Sequence, residues 1–459
     1  MFHRSSSSTR RRAIVTLSAT AALVATLAAC SGGSTAGTGA SSGDSGTVNW
    51  WGWTPDDGEA NALIAAFNQE YPQIKVVYKK LQDASYNAAL RPALASSSGP
   101  DVYDVAAGGA TGDVATFGGS AVDLSVAMQK AHGASWKDDI YAAGLTDFTQ
   151  DGKLKAAPVG QIASGFLWIN QQIFDRYGVK PPTTLKEWVN ACATFRANGL
   201  GCLAEGIGQP GFDIDTLHSI ADSIQPGDFA KAADGTIPWT SPTIVKAFGL
   251  FKQLATDGIL DEGAVGIQQY PDVNNAFLSG KVPMVQMGTW YQQYATKKAL
   301  GAALEAAGVP SGTGLVTIVP IPFPDVAGNS NTPNLFGDPD YALAVSSRSK
   351  VVDAATTFAL WVSSNKTGQQ IIADHLTDYP AMTSVAVDWS SLDLVDPASQ
   401  VPALQNLAKR VAQVDQSRQA KLPAQMIQAL VTADQSVIGG QQTPEEAASS
   451  VQAAAVAKG

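Results

Sequence analysis

The chain has 459 residues, 45% of them hydrophobic and 15% charged, a composition that supports large packed cores and excludes wholesale disorder. Lys and Arg number 30 against 40 Asp and Glu, for a net charge of −10, so a nucleic acid, which needs a basic footprint, is excluded as the main partner. Four His and three Cys leave little from which to build a zinc site, and no metal or other cofactor is expected.

Residues 1–29 read as an export signal. Arg4, Arg10, Arg11 and Arg12 make a basic start, and an apolar run follows to Ala29. Leu27-Ala28-Ala29-Cys30 looks like the lipobox of bacterial lipoproteins, in which the cysteine sulfur takes a diacylglycerol and becomes the first mature residue. The alternatives are an ordinary signal peptide with a chance cysteine, or a single N-terminal membrane helix. Thr9-Arg10-Arg11 lacks the bulky apolar residue of a twin-arginine signal, which favours the general export route. Residues 30–46, rich in Ser and Gly after the cysteine, are a tether. The formal G-x-S-x-G at Gly39–Gly43 has neither the strand nor the helix that a nucleophile elbow requires. Beyond residue 30 no apolar stretch reaches the roughly 20 residues that span a bilayer.

The body alternates strands and helices. Val48 to Trp53 is a buried strand, and Pro55-Asp56-Asp57 opens a helix with Leu63, Ile64 and Phe67 on one face. Ile74, Val76 and Tyr78 alternate as in a strand, Tyr86, Leu90 and Leu94 recur at helical spacing, and Pro100 to Val105 is the next strand. This pattern predicts a parallel sheet with helices on its faces, and ligands in such sheets sit beyond the carboxyl ends of the strands. Those ends are Trp53 with the loop after it, and residues 106–113 with Gly108-Gly109. Further on, Gly165 to Asn170 reads as a strand, Gln171 to Tyr177 as a helical turn and Thr184 to Asn198 as a helix. Val282 to Met287 and Tyr341 to Val345 read as strands, and Thr443-Pro444-Glu445-Glu446 is a capping box that starts a last helix. Cys192 and Cys202 are too far apart for a redox pair. Outside the cytosol they favour a structural disulfide, with two buried thiols as the alternative.

Four stretches together carry a family resemblance. They are Trp51-Gly52-Trp53 with the helix ending Phe67-Asn68-Gln69-Glu70-Tyr71-Pro72, then Gly99-Pro100-Asp101-Val102, then Ala276 to Met284 with Gly288-Thr289-Trp290, and finally the tail with Gly439-Gly440 and Thr443-Pro444-Glu445-Glu446-Ala447. In this order and spacing the chain resembles the extracellular solute-binding proteins that serve ATP-driven sugar importers, the family of the maltose-binding and glycerol-3-phosphate-binding proteins. The resemblance implies an α/β, two-lobe periplasmic-binding-protein-like fold, with a ligand cleft between the lobes and several hinge crossings. Lobe 1 is then residues 47–156 and 333–386, and lobe 2 residues 157–332 and 387–459. It also implies a monomer, lipid-anchored on the extracytoplasmic face of the cell membrane. That monomer captures a small carbohydrate and delivers it to the permease subunits of an ABC importer, with no catalysis.

A pyranose needs flat aromatic faces and polar groups that pair its hydroxyls, and carboxylates and amides suit the second task. Trp53, at the end of the first strand, and Trp290, after Gly288, are the stacking candidates. Asp56, Tyr86, Asp113, Gln161, Ser164, Phe212, Asp213, Asp338 and Tyr379 lie in loops or near crossings where the implied fold puts its site. Each could instead cap a helix or pack in a core. Gly206-Ile207-Gly208-Gln209-Pro210-Gly211 matches G-x-G-x-x-G, but Pro210 removes a backbone donor where a phosphate would need one, so it reads as a solute-site loop. No Arg falls on these positions, which favours a neutral sugar over an anionic one. The competing functions are a sensory lipoprotein with the same kind of site, and a carbohydrate hydrolase using Asp213/Asp215 or Asp338/Asp340.

Overall fold

A computed structural model describes residues 45–109, 111–310 and 314–456. The signal, Cys30 and most of the tether lie outside these residues.

Strand β1 (Gly46–Gly52) buries Val48 and Trp50. The helix Asp57–Glu70 leads to β2 (Ile74–Lys80), and the helix Tyr86–Ala95 leads to β3 (Val102–Ala106). Each crossover helix returns the chain to lie parallel, so β2 and β3 flank β1, with Trp50 opposite both Tyr78 and Val102. A small hairpin follows, β4 (Thr149–Gln150) and β5 (Lys153–Leu154). Then β6 (Ala157–Pro158), β7 (Gly160–Ser164) and β8 (Phe166–Asn170) run almost without a break. The remaining strands are β9 (Leu203–Ala204), β10 (Met284–Gln286), β11 (Ile318–Pro322), β12 (Phe336–Pro339), β13 (Tyr341–Val345) and β14 (Tyr379–Pro380).

These strands form two main sheets and a connector. The first sheet has the order β2-β1-β3-β13-β6 and the second β11-β8-β10-β9; between them β12-β7-β14 make a three-stranded antiparallel sheet. The first apolar core draws on residues 48–159 and 341–382. Two further cores draw on residues 163–451. The chain therefore changes lobe along the connector, at β7, β12 and β14. The strand expected over Gly165–Asn170 is β8; a further strand not anticipated from sequence, β7, precedes it, and the two are separated by a corner at Gly165. That residue has φ +98°, and a Cβ there would stand 2.6 Å from the Asn334 carbonyl, so only glycine fits the corner. Strand β6 remains paired with β13, so the chain leaves the first lobe at β7 rather than at residue 157. Likewise residues 333–340 do not join the first lobe, because Leu335 packs in a second-lobe core and β12 pairs β7.

Local chemistry explains the helix ends. Thr184 accepts from the Glu187 amide and caps the helix Leu185–Ala197. The Thr443 hydroxyl accepts from Glu446 N at 3.2 Å while the Glu446 carboxylate accepts from Thr443 N at 2.9 Å, a complete capping box on the helix Pro444–Val456. Cys192, in the middle of the helix Leu185–Ala197, is bonded to Cys202 just before β9, with their Cα atoms 5.1 Å apart. Among the described residues no helix is long and apolar enough to cross a membrane.

Candidate functional site

A cleft of about 320 Å³ lies where the two lobes face one another across the connector sheet. The first lobe contributes Trp53, Asp56, Lys80, Asp83, Gly108 and Gly109, all at or beyond the carboxyl ends of β1, β2 and β3. The second lobe contributes Phe212, Tyr270, Trp290 and Tyr294, and the connector contributes Ile162, Asp338 and Asp340. Arg418 and Gln419 come from an irregular stretch between the helices Pro397–Val411 and Ala424–Ile438.

The aromatic walls are braced from behind. Trp53 meets the edge of Tyr86 at 4.9 Å and 72°. Gly112 lies against its ring, where a Cβ would be 2.5 Å away. On the opposite wall Trp290 donates from Nε1 to the Tyr270 hydroxyl at 3.1 Å, and Phe212 stands edge-on to both, at 6.3 and 6.0 Å. The Arg418 guanidinium carbon is 5.0 Å from the Trp290 ring centre. The lobes also touch directly, since Gln209 Nε2 donates to Asp83 Oδ2 at 2.8 Å.

The candidates from sequence divide by location. Trp53, Asp56, Phe212, Trp290 and Asp338 line the cleft. Asp56 also caps its helix, accepting from Glu59 N at 2.9 Å. Asp338 faces the cleft, but its carboxylate already accepts from Ser417 Oγ at 2.6 Å, Arg418 N at 3.0 Å, Ala420 N at 2.8 Å and also Gln419 N. Its geometry is that of a loop anchor rather than of a free acceptor.

The others stand outside the cleft wall. Tyr86 is fully buried, with its hydroxyl 2.9 Å from the Asp104 carbonyl, and it supports Trp53 from the core. Asp113 caps the helical turn Val114–Phe117. On β7 the alternation of side chains turns Ile162 into the cleft and leaves Gln161 off it. Ser164 is buried and accepts from Gln286 Nε2 at 3.0 Å. Tyr379 is half-buried, its hydroxyl 3.4 Å from Gln292 Oε1. Asp213 is buried behind Phe212, where its carboxyl lies against that of Asp434. Burial raises both, Asp434 further because Asp213 repels its ionised form.

No Arg fell on the candidate positions, but reasoning from sequence missed Arg418, which lines the cleft. Its Nε donates to both oxygens of Asp215, at 2.9 and 2.8 Å. Burial raises the Asp215 carboxyl and the Arg418 charge opposes that rise. The Arg418 guanidinium in the cleft wall is thus matched by an acidic partner. Asp340 was named only as a hydrolase partner. It is half-buried at the cleft wall beside the buried Asp378, and desolvation raises both carboxyls. Asp83, Tyr270 and Tyr294 carried no local signal beyond being polar or aromatic residues near loops.

Two α/β lobes, a three-strand connector and an aromatic-walled cleft define a two-lobe binding protein. The chain belongs to the bacterial extracellular solute-binding protein family, whose model matches residues 51–369. A probable sugar-binding periplasmic protein of Brucella suis is 28% identical over 210 residues, 45% of this chain and 46% of that protein. The chain spans about half the length of the curated relatives it matches. The GacH receptor of Streptomyces glaucescens, solved unliganded and with acarbose, superposes with a TM-score of 0.66 at 22% identity, covering 90% of this chain and 97% of that one. A structure from work on xylan utilization by Caldanaerobius polysaccharolyticus gives 0.69 at 22% identity, with 89% and 99% covered. These likenesses establish the shared fold.

Proposed function

We propose that the chain is a lipid-anchored extracytoplasmic receptor that captures a neutral sugar or short oligosaccharide in its interlobe cleft and delivers it to an ABC importer. The observation that carries the reading is the pairing of two opposed indoles, Trp53 and Trp290, with carboxylate and amide groups in one cleft. The aromatic faces suit the C–H patches of a pyranose and the polar groups suit its hydroxyls. The relative from Brucella suis, described as sugar-binding, supports the same class of ligand. The Arg418–Asp215 pair supports a neutral ligand, because the guanidinium is already engaged by a carboxylate. Cys30 supplies the anchor and residues 31–46 the tether.

Hydrolysis is disfavoured by the carboxylates themselves. A glycosidase needs two that flank the scissile bond. Asp215 is bound to Arg418, Asp338 is saturated by loop donors, and Asp213 lies behind the wall. A thermal-shift screen of neutral mono- to tetrasaccharides tests the reading. A ligand at 100 times its Kd adds about 2.7 kcal/mol to stability. No shift with any saccharide, together with a shift from an anionic or peptide solute, would sink it.

A further inference from the structure

Gly108 and Gly109 both lie at the rim of the cleft, but they are glycines for different reasons. Gly109 has φ +84°, so its own backbone favours glycine. Gly108 has no left-handed φ, and any residue could adopt its conformation. What a side chain at 108 would meet is the other lobe: a Cβ there would stand 2.8 Å from the Ala420 Cα and 2.9 Å from its carbonyl oxygen. Ala420 cannot yield easily. Its stretch is held by Asp338, by Arg418 on Asp215, and by Gln419 Nε2 donating to the Gly211 carbonyl.

We propose that Gly108 is a closure residue, whose missing side chain lets the first lobe dock on residues 416–420 as the cleft shuts, with Asp338 setting the position of that strap. The glycine is then a requirement of the closed state, not of the loop that contains it. The inference rests on the capture reading, because a closure residue has a role only if the lobes part to admit a ligand and come together on it. Gln209 on Asp83 is a second contact across the same rim, and that pair supplies a probe that needs no ligand.

The experiment uses the exported chain carrying Asp83→Cys and Gln209→Cys, whose native cysteines are joined to one another in the described residues. The rate at which a short bifunctional thiol reagent links the new pair reports how often the lobes close without ligand. Gly108→Val should slow that rate roughly tenfold, the scale of overpacking against fixed backbone, and Gly108→Ala should slow it less. Gly119→Val is the control, since Gly119 has open space around it, and it should link at the parent rate. Ligand-free unfolding midpoints should be alike for all four proteins. A folded Gly108→Val that links at the parent rate overturns the proposal. So does a Gly108→Val or Gly108→Ala protein whose ligand-free midpoint falls while its linking rate holds, because the glycine would then serve the loop. Binding of maltose, melibiose, raffinose and xylobiose to the chain without cysteine substitutions is measured separately. Failure of all four there counts against the sugar reading, and the linking rates still decide the role of Gly108.

Discussion

Replacing Trp290 by alanine tests the cleft at its largest aromatic surface. The indole is half-buried and lies on Gly288, where a Cβ would stand 2.0 Å from the ring; Phe212 edges it at 6.3 Å and Tyr270 accepts from Nε1 at 3.1 Å. A neutral ligand has no charge to hold it, so loss of one large aromatic face should cost about 2–3 kcal/mol, or ~30- to 150-fold in affinity. Truncation also takes the donor from the Tyr270 hydroxyl, worth about 1 kcal/mol. That second loss falls on the ligand-free protein too, so it appears in the unfolding midpoint rather than in the affinity. Trp290→Phe helps separate the two effects, since it keeps one aromatic ring while losing Nε1–H and the second ring of the indole, and it should bind within roughly tenfold of the parent. Titration calorimetry with the saccharide chosen by the screen, run beside ligand-free unfolding, measures both. Trp53→Ala should behave as Trp290→Ala does. If both alanine variants fold and bind like the parent, the aromatic faces do not hold the ligand and the reasoning fails. Added salt gives a second check, because a stacked neutral ligand is nearly indifferent to screening. Collapse of binding at high salt would show that Arg418 or Lys80 is holding a charge.

Three further outcomes are expected. Cys30→Ser should release the protein from the membrane fraction or leave its precursor uncleaved; processing and partition like the parent would refute the anchor. Thiol titration of denatured, unreduced protein should find neither Cys192 nor Cys202, and reduction should lower stability by ~2–3 kcal/mol for so short a loop; two reactive thiols before reduction would refute the bridge. Stability should also fall as pH rises. Burial lifts the Glu59 carboxyl from 4.5 to about 8, against the hydrogen bond donated by Thr377. A carboxyl raised on folding stabilises fully below its unfolded value and loses that contribution as pH climbs through its folded one. The unfolding midpoint should therefore drop between pH 4.5 and about 8, and Glu59→Gln, which keeps an acceptor for Thr377, should flatten the drop. A midpoint that rises across this range would contradict the burial argument.

The fold was largely legible because its signals are local. The alternation in Ile74, Val76 and Tyr78, the spacing of Tyr86, Leu90 and Leu94, and the capping box at Thr443 each specify an element within a few residues, and each element is present. The connector was harder to read. Whether 165–170 is one strand or the second of two depends on a corner at Gly165 that the distant Asn334 carbonyl enforces. The cleft was partly legible. Trp53 could be placed because the carboxyl end of β1 fixes it, whereas Gln161 was named and its neighbour Ile162 on β7 lines the cleft, and a shift of one residue reverses the face of a strand.

Arg418 had no periodic signal at all, and its partner Asp215 is distant along the chain. The inference of a neutral ligand from a missing arginine was therefore unsound in its premise, and it stands on different ground, namely that the arginine present is paired. The same consideration sorts the acids. In sequence Asp213 and Asp338 are ligand-site candidates, and Asp215 and Asp340 enter only as their formal partners in a hydrolase. In the fold Asp215 is taken by a guanidinium, Asp338 by the donors of residues 417–420, and Asp213 faces another buried carboxyl. Asp340 lines the cleft beside the buried Asp378 and within the field of Arg418, Asp83 and Asp338. The donors that occupy each carboxylate decide which remain to meet a sugar hydroxyl, and those donors come from parts of the chain that no local pattern connects.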